Sequence, residues 1–213
     1  MKKYELTAEF IEKWGKKLFR IKALIGFGSV EAGELGGYVE KEDNLAQDGD
    51  AWVCDDAWVY GNARVYDDAW VYGDARVYGN AEVYGDARVY GNARVCDDAW
   101  VYGNAWVCGN ARVCDDAWVY GNAWVCGNAD YLLIGRIGSR FSFTTFFKNK
   151  DKGITVSCGC FLGTIAEFRA KVTDTHGNNK HAKMYNLAAD MAELQILGEE
   201  HFDKLNTNKS EPF

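Results

Sequence analysis

A run of thirteen six-residue units, from Ala51 to Asn128, constrains the fold of this 213-residue chain more than any other feature. Each unit reads Ala, a variable residue, Val, Tyr or Cys, and then a Gly-Asn, Gly-Asp or Asp-Asp pair. A period of six does not match the 3.6-residue turn of a helix, but it matches one short strand plus one corner. Ala and Val should point inward, and the variable residue and Tyr or Cys outward. The repeat therefore predicts a β-helix in which three units make one triangular coil of eighteen residues.

The spacing of aliphatic and small residues resembles that of the hexapeptide-repeat, left-handed parallel β-helix family, since Val53 is followed four positions later by Ala57. The left hand is implied by this resemblance alone. We expect a mainly β protein: a left-handed parallel β-helix with a short N-terminal helical cap and a C-terminal α+β module. The predicted boundaries are a cap at 1–36, the β-helix at 37–130, the module at 131–205 and a flexible tail at 206–213.

The N-terminal segment lacks the repeat. Thr7 as an N-cap and an apolar stripe that includes Trp14 predict a helix over residues 6–18, which would cover the open edge of the first coil. A degenerate coil follows, in which we expect Val39 and Leu45 to continue the Ala column.

The C-terminal segment predicts strands followed by two helices. Residues 131–137, 141–147 and 154–160 have extended character. The first helix begins at Thr164, where Glu167 completes a capping box. The second covers about residues 180–198, and one face of it holds the apolar residues Met184, Leu187, Ala188, Met191 and Leu194.

Three segments together resemble an uncharacterised group of phage and prophage proteins, some of them labelled polymer-forming cytoskeletal-like. The segments are residues 22–40, the hexads, and the run Cys158-Gly159-Cys160-Phe161-Leu162-Gly163-Thr164. The resemblance covers most of the chain, and it implies no chemistry for particular residues.

Charge and cysteine content narrow the classes of partner. The net charge is -7, and residues 51–128 hold eleven acids against five arginines, which is the opposite of a nucleic-acid-binding surface. Neither a signal peptide nor a long apolar run is visible, so we expect no membrane partner. Seven cysteines without an export signal predict a reduced, cytoplasmic protein. The stacked pairs Cys96/Cys114 and Cys108/Cys126 are interpreted as free thiols, because their parallel side chains suit a disulfide poorly.

Stacking at eighteen-residue intervals sorts the outward residues into columns. Stacked aromatic and arginine side chains can stabilise the coils themselves, and they can also form a partner surface. We predict a homo-oligomer whose association surface draws on Trp52, Trp70, Arg88, Trp106 and Trp124 on one face and on Trp100 and Trp118 on another.

Stacked corner acids, such as Asp97-Asp98 beside Asp115-Asp116, could hold a calcium ion, but such acids more often accept hydrogen bonds from corner amides. We therefore predict no metal and no cofactor. The hexapeptide-repeat family that this chain resembles includes acyltransferases, which use a His and usually a loop that interrupts the coils. The γ-type carbonic anhydrases have the same fold and need three His zinc ligands on the coils. Here His176, His181 and His201 all follow the repeat. The hexads thus predict a protein that is not an enzyme.

The most site-like sequence lies in the C-terminal module. Arg136, Ser139 and Arg140 occupy a turn between strands, and together with Thr144 and Thr145 they are candidates for binding an anionic small molecule or nucleotide. Cys158 and Cys160 could act with His176 as a thiol nucleophile pair or half of a metal site, or could lie on one strand face under the first helix.

These patterns favour a non-enzymatic, phage- or prophage-type interaction scaffold. Its rigid β-helix would self-associate and present the C-terminal module to a host protein or an anionic small molecule. The alternative is a sequestering protein for an anionic small molecule or nucleotide, including one with a role in counter-defence. A cysteine-dependent enzyme is the third hypothesis.

Overall fold

The computed structural model describes residues 1–202 and divides into two compact units. Met1–Asn122 and Cys126–Asn128 form the first unit, and Ala123–Val125 together with the chain from Ala129 onward form the second. The predicted tail at 206–213 lies outside the described residues. Neither of the two α-helices in residues 1–202 has the length and apolar content needed to span a membrane.

The first unit is a parallel β-solenoid of about five turns. Its hexad strands hold the variable residue and the Val of each unit. They are β4 (Trp52–Val53), β5 (Trp58–Val59), β6 (Arg64–Val65), β7 (Trp70–Val71), β8 (Arg76–Val77), β9 (Glu82–Val83), β10 (Arg88–Val89), β11 (Arg94–Val95), β12 (Trp100–Val101), β13 (Trp106–Val107), β14 (Arg112–Val113) and β15 (Trp118–Val119).

Three walls of parallel strands form the solenoid, and neighbours in a wall are eighteen residues apart. One wall runs β5-β8-β11-β14, a second contains β4-β7-β10-β13, and the third runs β6-β9-β12-β15. Each hexad Ala and Val is completely buried, which confirms the predicted inward columns. The fold class is confirmed as a parallel β-solenoid followed by an antiparallel sheet with helices. The left hand of the coil stays a prediction.

The first coil is offset from the predicted register. Val39 pairs with Val59, and Leu45 pairs with Val65, so both residues join the Val column and not the Ala column. The separation of twenty residues shows that two extra residues lie between Leu45 and Trp52. The physical reason is volume, because the Ala column accepts only a methyl group where the wall bends.

The predicted N-terminal helical cap is wrong. Residues 6–18 form most of an antiparallel hairpin of β1 (Tyr4–Lys13) and β2 (Lys16–Ala23), which continues through β3 (Leu35–Val39) into the wall that contains β5. Trp14 and Gly15 both have positive φ, at 51° and 75°, as a two-residue hairpin turn requires. The glycine that would weaken a helix is therefore the turn, and the hairpin still covers the first coil through strand pairing.

The interpretation of the stacked cysteines as free thiols is also wrong. Cys96–Cys114 and Cys108–Cys126 are disulfides, with Cα atoms 4.6 Å and 4.2 Å apart. Stacking of successive coils brings the Cα atoms of Cys96 and Cys114 within the range that a disulfide spans. Cys54, Cys158 and Cys160 are free.

The second unit contains β16 (Trp124–Val125) and a four-stranded antiparallel sheet in chain order. The sheet strands are β17 (Tyr131–Ile137), β18 (Ser142–Lys148), β19 (Ile154–Cys158) and β20 (Phe161–Thr164). Three of these were predicted, and β20 was not. It pairs with β19 through a turn at Gly159 and Cys160, where Gly159 has φ 59°.

Two helices pack on this sheet, α1 (Ile165–His176) and α2 (Lys180–Leu197). The capping box of Thr164 and Glu167 is present, as predicted. Of the predicted apolar face of α2 only Ala188 is buried, because small residues face the sheet. The face toward the sheet holds Ala182, Tyr185, Ala188, Ala189, Ala192, Glu193 and Ile196, and it leaves Met184, Leu187, Met191 and Leu194 exposed.

Candidate functional site

The second unit contains a cavity of about 220 Å³, which we call the thiol cavity. It lies where the β17–β18 turn and the β19–β20 turn face α1 and α2. Its lining residues are Ser139, Arg140, Cys158, Cys160, Phe161, Phe168, Lys171, Val172, Thr175, His176 and Tyr185. The cavity therefore brings together two thiols, a phenol, cationic side chains and several apolar side chains.

Strand pairing positions the first thiol. Cys158 is the last residue of β19, between Thr144 on β18 and Phe161 on β20. The Thr144 hydroxyl, which is completely buried, donates a hydrogen bond to Cys158 Sγ over 3.2 Å. Cys158 is half-buried, whereas Cys160 lies in the turn and is exposed. The two thiols therefore do not share a strand face, and only Cys158 packs into the unit.

Tyr185 supplies the floor of the cavity from α2. Its hydroxyl packs so closely on Gly138 that a side chain there would clash with it. Burial is the main cause that raises the pKa of the Tyr185 hydroxyl, and the charge interaction and hydrogen bond with Cys158 raise it further. Arg140 and the Ser139 backbone lower this pKa. The floor thus stays a neutral phenol at physiological pH, and Gly138, with φ 72°, is required for its placement.

The rim of the cavity is cationic. Arg140 is exposed and forms no ion pair within residues 1–202. A Cβ added to Gly159 would lie 3.1 Å from Arg140 Nη1, so the guanidinium reaches the turn that carries the thiols. Lys171 already pairs with Asp174 over 3.2 Å, at a well-exposed position. His176 ends α1, and its ring stacks on Tyr185 with centroids 5.7 Å apart.

The structure brings together some of the predicted ligand-binding residues. Ser139 and Arg140 line the cavity, and Thr144 lies beneath it, bonded to Cys158. Thr145 is buried and does not line it, and Arg136 lies over the Phe143 ring at 5.9 Å. Their predicted role in binding stays a prediction.

Sequence reasoning treated the arginine turn and the Cys158-to-Cys160 motif as separate candidates, whereas they share one cavity. It missed Tyr185, Lys171 and Phe161 as lining residues. The available signal for Tyr185 was a single polar-tipped aromatic residue among the alanines of a helix face.

The outward columns of the solenoid match their predicted membership. Trp100 stacks on Trp118 with centroids 5.3 Å apart, and Trp118 is 40% exposed. Stacking turns the ring faces toward neighbouring coils, so the columns present mainly ring edges outward. Arg76 lies 4.3 Å from the Trp58 ring, which shows the same use of side chains between coils. This geometry supports stabilisation of the coils by the columns.

Trp52 does not share this exposure. It is completely buried, with the Phe27 ring 5.4 Å and the Tyr4 ring 6.4 Å from it. Residues of the N-terminal segment therefore cover the top of its column, so Trp52 does not contribute to an exposed surface. Trp70, Arg88 and Trp106 remain partly or well exposed in the same column, and Trp124 is exposed in the second unit.

Corner acids bond to the backbone of the next coil, as expected. Asp55 accepts from the Gly73 amide over 3.0 Å, and Asp67 from the Gly85 amide over 3.3 Å. Within residues 1–202, the one cluster of three candidate metal-ligating side chains is Cys96, Asp97 and Cys114. Its two sulfurs form a disulfide, so they are not metal ligands.

A family model described as the YdcK beta solenoid repeat matches the hexads over residues 57–73, 69–85, 75–91, 81–96, 87–103, 93–109 and 111–127. These matches cover less than half of the chain and none of the thiol cavity. Together with the fold, they show that the chain is a repeat β-solenoid protein. No curated protein matches it.

Proposed function

We propose that this chain is a non-enzymatic scaffold that self-associates through its second unit and presents the thiol cavity as a binding site. The observation that carries the proposal is an exposed apolar face on α2. This α2 stripe consists of Met184, Leu187, Met191 and Leu194, which are 40%, 63%, 57% and 45% exposed.

The spacing of the α2 stripe is that of a helix–helix seam. Its residues follow one another by three, four and three positions, the alternation by which one helix packs against another along its length. A monomer rarely exposes a contiguous apolar patch of more than a few hundred Å², and four large side chains reach that scale. A second copy would bring a matching patch, because a two-fold interface uses the same surface twice.

Charges at the ends of α2 favour an antiparallel arrangement of the two copies. Lys180 and Lys183 lie near its first turn, and Glu199 and Glu200 follow its last. None of the four forms an ion pair within the described residues. Antiparallel helices would place the lysines of one copy beside the glutamates of the other, whereas parallel helices would bring like charges together.

The hand of the coil and the kind of external partner are also part of this proposal. Resemblance to hexapeptide-repeat proteins supports a left-handed coil. Resemblance to phage- and prophage-type proteins supports a scaffold role, for which a host protein is the expected external partner. The exposed aromatic columns around Trp100 and Trp118 offer a second association surface. Their ring-edge presentation makes them the weaker candidate for the primary contact.

Light scattering after size-exclusion chromatography tests the self-association. At micromolar concentration we expect the native chain at twice the monomer mass and Leu187→Glu at the monomer mass. The matched control is Leu162→Glu, at a position 45% exposed on β20 in the same unit, which should remain dimeric.

Charge reversal then tests the orientation. Lys180→Glu with Lys183→Glu should weaken the dimer, and adding Glu199→Lys with Glu200→Lys should restore it. A native chain that is strictly monomeric would overturn the proposal. A dimer lost with Trp118→Ser but kept with Leu187→Glu would move the interface to the solenoid.

A second candidate function is binding of an anionic small molecule. It is favoured by Arg140, which lies at the rim of an apolar cavity and has no ion-pair partner within residues 1–202. This candidate is compatible with the first, because the cavity and the α2 stripe share only the helix that carries them.

A further inference from the structure

We infer that the thiol cavity binds a small amphipathic carboxylate, with its acid group at Arg140 and its apolar body against Phe161, Phe168 and Val172. The inference rests on the second candidate function and narrows it from any anion to one chemical class. It is independent of whether the α2 stripe forms a dimer.

Arg140 supplies the recognition of the acid group. Its guanidinium is exposed at the cavity rim, has no carboxylate partner among residues 1–202, and reaches the turn at Gly159. Guanidinium matches a carboxylate through two parallel N–H donors, which gives orientation as well as charge attraction. Lys171 is already paired with Asp174, so its charge is partly neutralised. Arg140 is therefore the lining cation that is more available to a ligand.

The walls supply the apolar half of the site. Phe168 and Val172 are buried on α1, and the Phe161 ring lies 5.6 Å from the Phe168 ring. These side chains face the floor made by Tyr185 and Cys158, whose polar atoms already have hydrogen-bond partners. A ligand that carried charge along its whole length would lose hydration here without gaining partners.

The cavity volume limits the size of the ligand. At about 220 Å³ it is smaller than the 300–1,000 Å³ that pockets for drug-sized ligands occupy. A mononucleotide has both the wrong size and too many polar groups. An aromatic or short branched monocarboxylate of about a dozen non-hydrogen atoms fits both limits.

The alkylation rates of the two thiols can report on anion binding at the site without a known ligand. Iodoacetate is a carboxylate that alkylates thiols, and iodoacetamide is its neutral counterpart. Burial raises the pKa of Cys54 to about 12, so the remaining free thiol should react slowly and stay distinguishable after digestion and mass spectrometry. At low salt we expect the iodoacetate-to-iodoacetamide rate ratio at Cys158 and Cys160 to exceed that of N-acetylcysteine amide by about three- to tenfold.

Two matched arginine variants test whether Arg140 causes this preference for iodoacetate. Arg140→Gln should return the ratio to that of the model thiol, and 1 M NaCl should do the same to the native chain. Arg136→Gln removes an equal charge four residues away, from an arginine that lies over Phe143 outside the cavity, and should leave the ratio unchanged. Both side chains are exposed, so neither variant should lower the melting temperature.

Protection by small molecules tests the ligand class. Benzoate should slow alkylation saturably. Benzamide, which is its neutral isostere, and acetate, which lacks the apolar ring, should each protect the thiols at least tenfold less well. Equal protection by benzoate and benzamide, or equal rate ratios in Arg140→Gln and the native chain, would overturn the inference. Better protection by adenosine monophosphate than by benzoate would overturn the carboxylate class while leaving the anion-binding candidate intact. Light scattering on the same samples reports separately on self-association.

Discussion

The solenoid and the second unit obtain their order in opposite ways. Every coil of the solenoid repeats the same contacts: buried Ala and Val, parallel hydrogen bonds, and corners that stack on corners. The second unit depends on contacts that occur once, such as Tyr185 on Gly138 or Arg169 between Asp190 and Glu193. The thiol cavity combines side chains that come from such single contacts and not from a repeated one.

The largest expected effect concerns how closely coil backbones approach one another. Gly79 has φ 76°, and a Cβ added there would lie 2.7 Å from the Asp97 amide nitrogen. Gly121 has φ 66°, but a Cβ there would meet nothing within 4 Å. Gly121→Ala should therefore cost about 1 kcal/mol from backbone strain alone, and Gly79→Ala about 4 kcal/mol, because a neighbouring backbone must also move.

Urea unfolding followed by tryptophan fluorescence measures this difference, since seven of the eight tryptophans lie in the first unit. Equal losses of stability in the two variants would show that φ alone determines the glycine requirement. The stacking of corners would then not be a constraint peculiar to the solenoid.

The sequence predicts the solenoid well because each hexad reports the same environment. Thirteen repetitions average out local ambiguity, and the inward columns, the outward columns and the corner hydrogen bonds all follow from one unit. The first coil was predicted, but its register was wrong, because this coil occurs once. Its two extra residues move Val39 into the Val column, and the Trp14-Gly15 turn makes a hairpin from residues that also satisfy helical spacing.

The cavity was only half predictable for a related reason. Arg140 and Cys158 are visible as motifs, but their proximity depends on the pairing of β18, β19 and β20, and β20 was not predicted. The face of α2 was predicted by hydrophobicity, which selected Met184 and Leu187. The sheet instead accepts the alanines, because small side chains allow the helix to approach closely.

A loss of intermediate size should be confined to the second unit. Arg169 contacts Asp190 and Glu193, both at 2.7 Å, and Glu193 is 6% exposed. Arg169→Met leaves Glu193 as a buried charge without its partner and should cost about 3 kcal/mol. Hydrogen exchange should accelerate in α1 and α2, whereas the amides of the solenoid keep their protection.

Lys171→Met is the matched control for that variant. It removes the same kind of charge from α1, but from an exposed pair with Asp174, so the expected change is below about 0.5 kcal/mol. Faster exchange throughout the solenoid in Arg169→Met would contradict the independence of the two units' stabilising contacts.

The smallest effect tests whether repeated corners are truly interchangeable. Asp67 and Asp97 occupy the position that glycine fills in other hexads, with φ 57° and 59°. Asp67 also accepts a hydrogen bond from the Gly85 amide, whereas no side-chain hydrogen bond joins Asp97 to the described residues. Asp97→Gly should therefore stabilise the solenoid by about 0.5 kcal/mol through relief of the left-handed backbone, and Asp67→Gly should be neutral or slightly destabilising because it loses that bond. Urea unfolding curves of the two variants can show whether each one gains or loses stability. Equal gains in stability would mean that the hydrogen bond between coils contributes nothing. Any corner acid could then be replaced by glycine.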